Sequence, residues 1–296
     1  MKATWIAGIM GAVIAMPAMA ADMALKAPPL APVYSWTGFY VGANLGYGVG
    51  NDPTTETTVS GAAYPLLGAG APLYAGSGQY AIDPSGWNGG FQAGYNLQVS
   101  PIWVLGIETD FQFAGMNGSA NCILPCGTEI VPNSSIGILT GFPVIFSNYS
   151  YSQKLDWFGT VRGRAGYAAG PALFYVTGGL AYGEVERAGS VSGITVNNLF
   201  GGGSTFNAFS GSFDNSSTNV GYTVGAGIEA KLWGQWSAKA EYLYIDLGSV
   251  SDTFNTMYTS GTPSTGVAAT RTVTSDVREN IFRVGLNYQF SAPPPP

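Results

Sequence analysis

The sequence predicts an all-β fold, an eight-stranded antiparallel transmembrane β-barrel, and three observations predict it. The first is composition: only 9% of the 296 residues are charged and 43 are glycine, whereas globular domains carry about 25% charge and about 7% glycine. The second is that no run of about 18 apolar residues exists beyond the amino-terminal segment, so no helix is available to carry this chain through lipid. The third is a two-residue alternation of apolar and polar positions in segments separated by turns. A closed barrel pairs every backbone N–H and C=O between strands, which a hydrocarbon environment demands.

Residues 1–20 read as a secretory signal peptide. Lys2 supplies the positive start, Ile6 to Ala15 the apolar stretch, and Pro17-Ala18-Met19-Ala20 places the small residues Ala18 and Ala20 at −3 and −1 of a cleavage site. A membrane-anchor helix is the competing reading, but the apolar run is too short and Ala21-Asp22 follows at once. Loss of Lys2 takes the formal charge from −6 to −7. An acidic chain lacks the basic patch that phosphates require, so no nucleic-acid partner is expected. Residues 21–36, with Lys26-Ala27-Pro28-Pro29-Leu30-Ala31-Pro32, form a Pro-rich periplasmic segment, and residues 291–296 a Pro-rich tail; both read as extended spacers.

The barrel is expected over residues 37–290. In its first strand Phe39, Val41, Ala43, Leu45 and Tyr47 alternate with Tyr40, Gly42, Asn44 and Gly46. The second is the clearest: Trp87, Phe91, Ala93, Tyr95, Leu97 and Val99 fall on one face, and Asn88, Gly90, Gln92, Gly94, Asn96 and Gln98 on the other. In lipid the apolar face points outward. The third strand spans Leu105 to Phe113 with Glu108 and Asp110 inward. The fourth spans Leu155 to Tyr167, placing Leu155, Trp157, Val161, Ala165 and Tyr167 outward and Arg162 and Arg164 inward. Leu173 to Glu186 is the fifth, of ambiguous facing. The sixth runs from Val220 to Ala230 with Glu229 inward, the seventh from Trp236 to Tyr244 with Lys239 and Glu241 inward, and the eighth from Phe282 to Phe290 with Arg283 inward.

The connections provide an independent check. Long polar stretches (51–85, 115–148, 187–218 and 249–275) follow the odd strands, and short turns at Ser100-Pro101, Ala169 to Ala172 and Trp233 to Gln235 follow the even ones. Long loops outside, tight turns inside and both termini periplasmic make the bacterial outer membrane the expected location.

Four stretches carry a family resemblance: APVYSWTGFYVGANLGYG (31–48), LDWFGTVRGRAGY (155–167), YVTGGLAYG (175–183) and NIFRVGLNYQF (280–290). They resemble the small porin-like surface antigens of alphaproteobacteria, which share an OmpA-type barrel. The resemblance covers the barrel and leaves the long loops unmatched, so it implies a fold more than an activity. Family members usually end at the aromatic residue of the last strand, whereas here Ser291-Ala292 and four prolines follow Phe290.

The lumen should hold Glu108, Asp110, Arg162, Arg164, Glu229, Lys239, Glu241 and Arg283, four acids and four bases. Eight strands enclose space for side chains only, and a neutral set in such a space favours mutual ion pairs. A gated narrow pore is the alternative use of the same charges. About the turn at Gly234, Glu229 and Lys239 should be opposite and paired, and Glu241 should reach Arg283. Cys122 and Cys126 form a C-x3-C that export makes a disulfide, with free thiols as the alternative; a metal site would need more ligands, and the chain has no histidine.

The same lack of histidine speaks against an enzyme, because outer-membrane hydrolases and acyltransferases lean on it as base. Gly225-Ala226-Gly227-Ile228-Glu229-Ala230 fits G-x-G-x-x-G/A but continues a strand pattern where a dinucleotide site needs a helix. Gly201-Gly202-Gly203-Ser204 reads as a loop tip. Trp87, Trp103, Trp233 and Trp236 lie near strand ends, where rings settle at headgroup level. No cofactor and no metal are expected. The partners are outer-membrane lipid and, through the long loops, an extracellular ligand or surface. The composite expectation is a non-enzymatic barrel with a structural or surface-interaction role, or alternatively a low-conductance porin-like channel for small solutes.

Overall fold

The computed structural model describes residues 34–60, 75–122, 144–197, 205–260 and 267–291. The signal peptide with Ala18 and Ala20, residues 21–33 and the tail after Ser291 lie outside the described residues, as do Cys126 and the 201–204 glycine run. Among the described residues every regular element is a strand: β1 (Gly38–Gly50), β2 (Asp52–Ser60), β3 (Ala75–Ile82), β4 (Ser85–Gln98), β5 (Trp103–Cys122), β6 (Val144–Ala169), β7 (Ala172–Asn197), β8 (Thr205–Lys231), β9 (Trp236–Ser260) and β10 (Val267–Ser291).

Eight of them close into an antiparallel ring, because β1 pairs with β4 on one side and with β10 on the other. β1 and β4 to β10 contain the eight segments read from the sequence. The three short turns are also where the sequence places them, two of them with a glycine at positive φ, Gly170 (60°) and Gly234 (56°).

The long connections are a correction. Much of 51–85, 115–148, 187–218 and 249–275 is strand: β2 and β3 form a hairpin added to the upper part of β10, and β5 to β10 all run past the apolar band. Within the band, Phe91, Phe113, Val176, Val220 and Phe282 are exposed on the outer face while polar side chains fill the inside. Above it the alternation persists with inverted polarity. Tyr151, Val191, Phe254 and Val273 are buried inward, and hydroxyls face out, joined in pairs such as Thr253–Thr272 at 2.9 Å and Ser251–Thr274 at 2.8 Å. A wall in lipid is greasy outside, a wall in water greasy inside. The composition that reads as loop is thus the outer face of a solvated barrel extension.

Two irregularities adjust the inward face where the band gives way to the extension. On β6 the pairing shifts between Leu155 and Trp157, so the inward series changes from Tyr151, Gln153, Leu155 to Phe158, Thr160, Arg162. Leu155, read as outward, is therefore buried. On β9 the inward series passes from Leu247 to Val250 across Gly248, whose φ of 79° suits a β-bulge. The facing left open for 173–186 resolves with Leu173, Tyr175, Thr177 and Ala181 inward and Phe174, Val176 and Leu180 outward.

Candidate functional site: the charged lumen

The eight inward charges named from the sequence meet at mid-height. Glu108 and Asp110 come from β5, Arg162 and Arg164 from β6, Glu229 from β8, Lys239 and Glu241 from β9 and Arg283 from β10, and all eight are nearly fully buried. Period-two strands deliver them, because each sits on the same parity as the polar residues around it.

Glu108 is the hub. It accepts from Arg162 and from Lys239 Nζ (3.0 Å), with Arg164 and Arg283 at 3.8 and 3.7 Å. Asp110 accepts from Arg162 (3.0 Å) and Arg283 (2.9 Å). Glu241 takes Arg162 at 3.1 Å and Arg283 at 2.6 Å. Glu229 binds Arg164 at 3.0 Å and also accepts from Ser237 Oγ (2.6 Å) and Asn287 Nδ2 (2.9 Å). Four acids and four bases balance, which is what makes so many buried charges tolerable.

Register and pairing part company at one point. Glu229 stands directly opposite Lys239, yet they are not ion partners. Lys239 reaches across the lumen to Glu108 and along its own strand to Glu241 (3.7 Å). The lumen is narrow enough for Lys239 on β9 to reach Glu108 on β5, so a charge across the barrel competes with one on the next strand. Glu241 is both opposite Arg283 and bonded to it.

Sequence reading missed two tyrosines. Tyr40 Oη donates to Glu108 Oε2 at 2.6 Å and accepts from Arg164 Nη1 at 3.1 Å. Tyr175 Oη donates to Glu241 at 3.0 Å, and the Arg164 guanidinium lies 4.0 Å above its ring centre. Tyr40 does fall on the polar parity of its strand, a signal that was available. Glycines make room for both rings: a Cβ on Gly94 would lie 2.4 Å from Tyr40 Oη, and one on Gly227 2.6 Å from Tyr175 Cζ. Gly227 belongs to the G-x-G-x-x-A stretch, which is strand β8 here.

Apolar side chains flank the network at both ends. Toward the periplasmic turns lie Trp36, Val104, Ala168 and Leu173. Trp36 also receives Lys231 Nζ 4.7 Å from its ring centre. On the other side, the inward residues further along the same strands are Met116, Phe158, Leu243 and Ile281, part of a cluster with Leu155, Ile245 and Val277. The tryptophans Trp87, Trp103, Trp233 and Trp236 all lie on the outer face. Trp87 meets Tyr47 edge-on at 5.4 Å, and Trp103 meets Tyr167 at 6.0 Å. At the far end of β5, Cys122 is disulfide-bonded. Its pairing with Cys126, the chain's other cysteine, is our proposal.

A family model described as outer membrane protein beta-barrel domain matches residues 11–290. The 31 kDa outer-membrane immunogenic protein of Brucella melitensis is 34% identical over 298 residues, covering 98% of this chain and 100% of the relative. A 22 kDa outer membrane protein of Rhizobium leguminosarum is 29% identical, covering 75% of this chain and 69% of its own length. Among solved structures, OprG from Pseudomonas aeruginosa aligns over 86% of this chain and 97% of its own, with 14% identity and a TM-score of 0.42. With a ring of eight antiparallel strands, an apolar outer band and these relatives, the chain belongs to the outer membrane protein β-barrel family and resides in the bacterial outer membrane.

Proposed function

We propose that this protein is a closed, non-enzymatic barrel whose role is structural and surface-presenting, with the lumen serving as a plug. One observation carries the reading: the eight-charge network lies between two apolar layers, Trp36 with Leu173 below and Met116, Phe158, Leu243 and Ile281 above. An ion crossing would have to break several mutually bonded charges and then pass hydrocarbon, and each step opposes conduction. The chain contains no histidine to act as a base, which supports a non-enzymatic role. The solvated β-extension presents hydroxyl and amide groups outward, and relatives bear the name outer-membrane immunogenic protein; a surface-exposed role fits both.

Purified, refolded protein in planar bilayers is the test. The expectation is no single-channel step above the lipid baseline over a range of voltages. Opening Phe158 and Leu243 to alanine together should raise conductance if these residues are the seal. Reproducible steps in the wild type would favour the low-conductance channel for small solutes.

A further inference from the structure

At the level of the upper apolar cluster, where Glu279 falls between Ile281 and Val277 on the inward face of β10, the lumen holds an acid pair with a different character from the network below. Glu279 on β10 and Asp52 at the start of β2 are both completely buried. Neither makes an ion pair among the described residues, and neither Glu279 oxygen receives a hydrogen bond. They are neighbours. Glu279 pairs with Gly50 across the strands, its Oε2 lies 3.1 Å from where a Gly50 Cβ would sit, and Asp52 Oδ1 accepts from the Arg278 backbone N–H at 2.7 Å. The nearby guanidiniums are engaged elsewhere, Arg187 with Asp252 and Arg278 with Asp246 and Asp276.

A third side chain points to a ligand independently. Gln153 on β6 is 3% exposed and donates its Nε2 to Asp52 Oδ2. Its Oε1, held beside that carboxylate, has no partner of its own. Three buried oxygens, both of Glu279 and Oε1 of Gln153, therefore have no donor beside the Asp52 carboxylate, an arrangement that costs free energy unless something positive joins them.

We propose that Asp52, Glu279 and Gln153 form a binding site for a hard divalent cation, with Ca²⁺ the best match. Two carboxylates neutralise a dication, the donors are all oxygen, and Ca²⁺ accepts irregular shells of six to eight oxygens, whereas Mg²⁺ demands a near-ideal octahedron. No three His, Cys, Asp or Glu side chains converge among the described residues, so amide, backbone and water oxygens complete the shell. Bound there, the ion fastens β2 to β10 and β6 at the base of the extension.

Chelator-treated, refolded protein in detergent at pH 8 is titrated with CaCl₂, read by calorimetry and by the urea midpoint. One Ca²⁺ per chain is expected, with Kd on the order of 10⁻⁴–10⁻³ M, as in extracellular modules, and a midpoint that rises with Ca²⁺ as ligand linkage requires. Glu279→Gln should abolish the rise and, in chelator, exceed the wild-type midpoint, because it removes a buried carboxyl that no donor in the wall satisfies. Asp52→Asn should weaken Ca²⁺ binding at least tenfold, and Asp276→Asn on the surface should leave it unchanged. Failure of the wild type to bind Ca²⁺ by calorimetry overturns the proposal whether or not the variants refold. So does a Ca²⁺ response that survives in Glu279→Gln, or one that NaCl at equal ionic strength reproduces.

Discussion

Glu108 has four basic groups within 4 Å, three of which also hold Asp110 or Glu241. Neutralising it leaves the buried cluster one positive charge in excess. Glu108→Gln should therefore destabilise by about 3–5 kcal/mol, the usual cost of breaking a buried pair from one side. The pairing can be read from coupling. Lys239→Met combined with Glu108→Gln should lose less than the sum of the single losses, with a coupling of about 0.5–3 kcal/mol. The cycle of Lys239 with Glu229, opposite but unbonded, should couple more weakly. Urea midpoints of the six proteins decide it, and a larger coupling for the Glu229 cycle would refute the cross-lumen assignment. Which residues face the lumen was legible, because parity alone sorts Glu108, Arg162 and Glu241 inward. Who bonds whom was not, because arginine and lysine side chains span a lumen this narrow and distance along the sequence says nothing about reach. Tyr40 shows the other blind spot: a ring on the polar parity was passed over although its hydroxyl completes the network.

At the scale of the strand, the band was legible and the extension was not. Phe39 to Tyr47 and Trp87 to Val99 announce themselves by large apolar residues at every second position. In the extension the buried face carries Tyr151, Gln153 and Leu155, and a bulge between Leu155 and Trp157 breaks the count just where the lipid-facing pattern begins. A reader following one parity through the fourth strand places Leu155 in lipid. On β9 the same service falls to Gly248, held at φ 79° with its amide N–H bonded to Asp246 Oδ1 at 2.9 Å. An L-residue there meets the left-handed penalty, so Gly248→Ala should cost about 1–2 kcal/mol. Open space surrounds the missing Cβ, which makes the backbone the only cause of strain. The chemical-denaturation midpoint should fall while the far-ultraviolet spectrum of the refolded barrel stays the same; an unchanged midpoint would mean that the bulge adapts freely.

For the whole molecule, the combination of pairing and charge placement gives a cheap test of topology. Apart from Lys2 and Lys26, every lysine and arginine lies on a described strand: Lys154, Arg162 and Arg164 on β6, Arg187 on β7, Lys231 on β8, Lys239 on β9, and Arg271, Arg278 and Arg283 on β10. The segments 61–74, 123–143, 198–204 and 261–266, which join the upper strand ends, contain neither residue type. Trypsin needs an extended, unpaired stretch around its target. In the extension Arg187 is held by Asp252 at 2.6 Å and Arg271 by Glu56, both inside the wall. Trypsin added to intact cells should accordingly leave the barrel whole, although read from the sequence alone 187–218 is an exposed loop with Arg187 at its edge. A protease that cuts after aromatic residues finds Tyr74 and Phe200 in the joining segments, Tyr64 and Phe142 each being followed by a proline that blocks cleavage, and should cleave from outside. Trypsin should reach Lys26 only once the outer membrane is permeabilised, because that residue precedes β1 at the end of the barrel that bears the short turns. Mass spectrometry of the fragments separates the outcomes: tryptic cleavage after Arg187 or Arg271 on intact cells would show that the extension opens, and cleavage after Lys26 there would reverse the orientation.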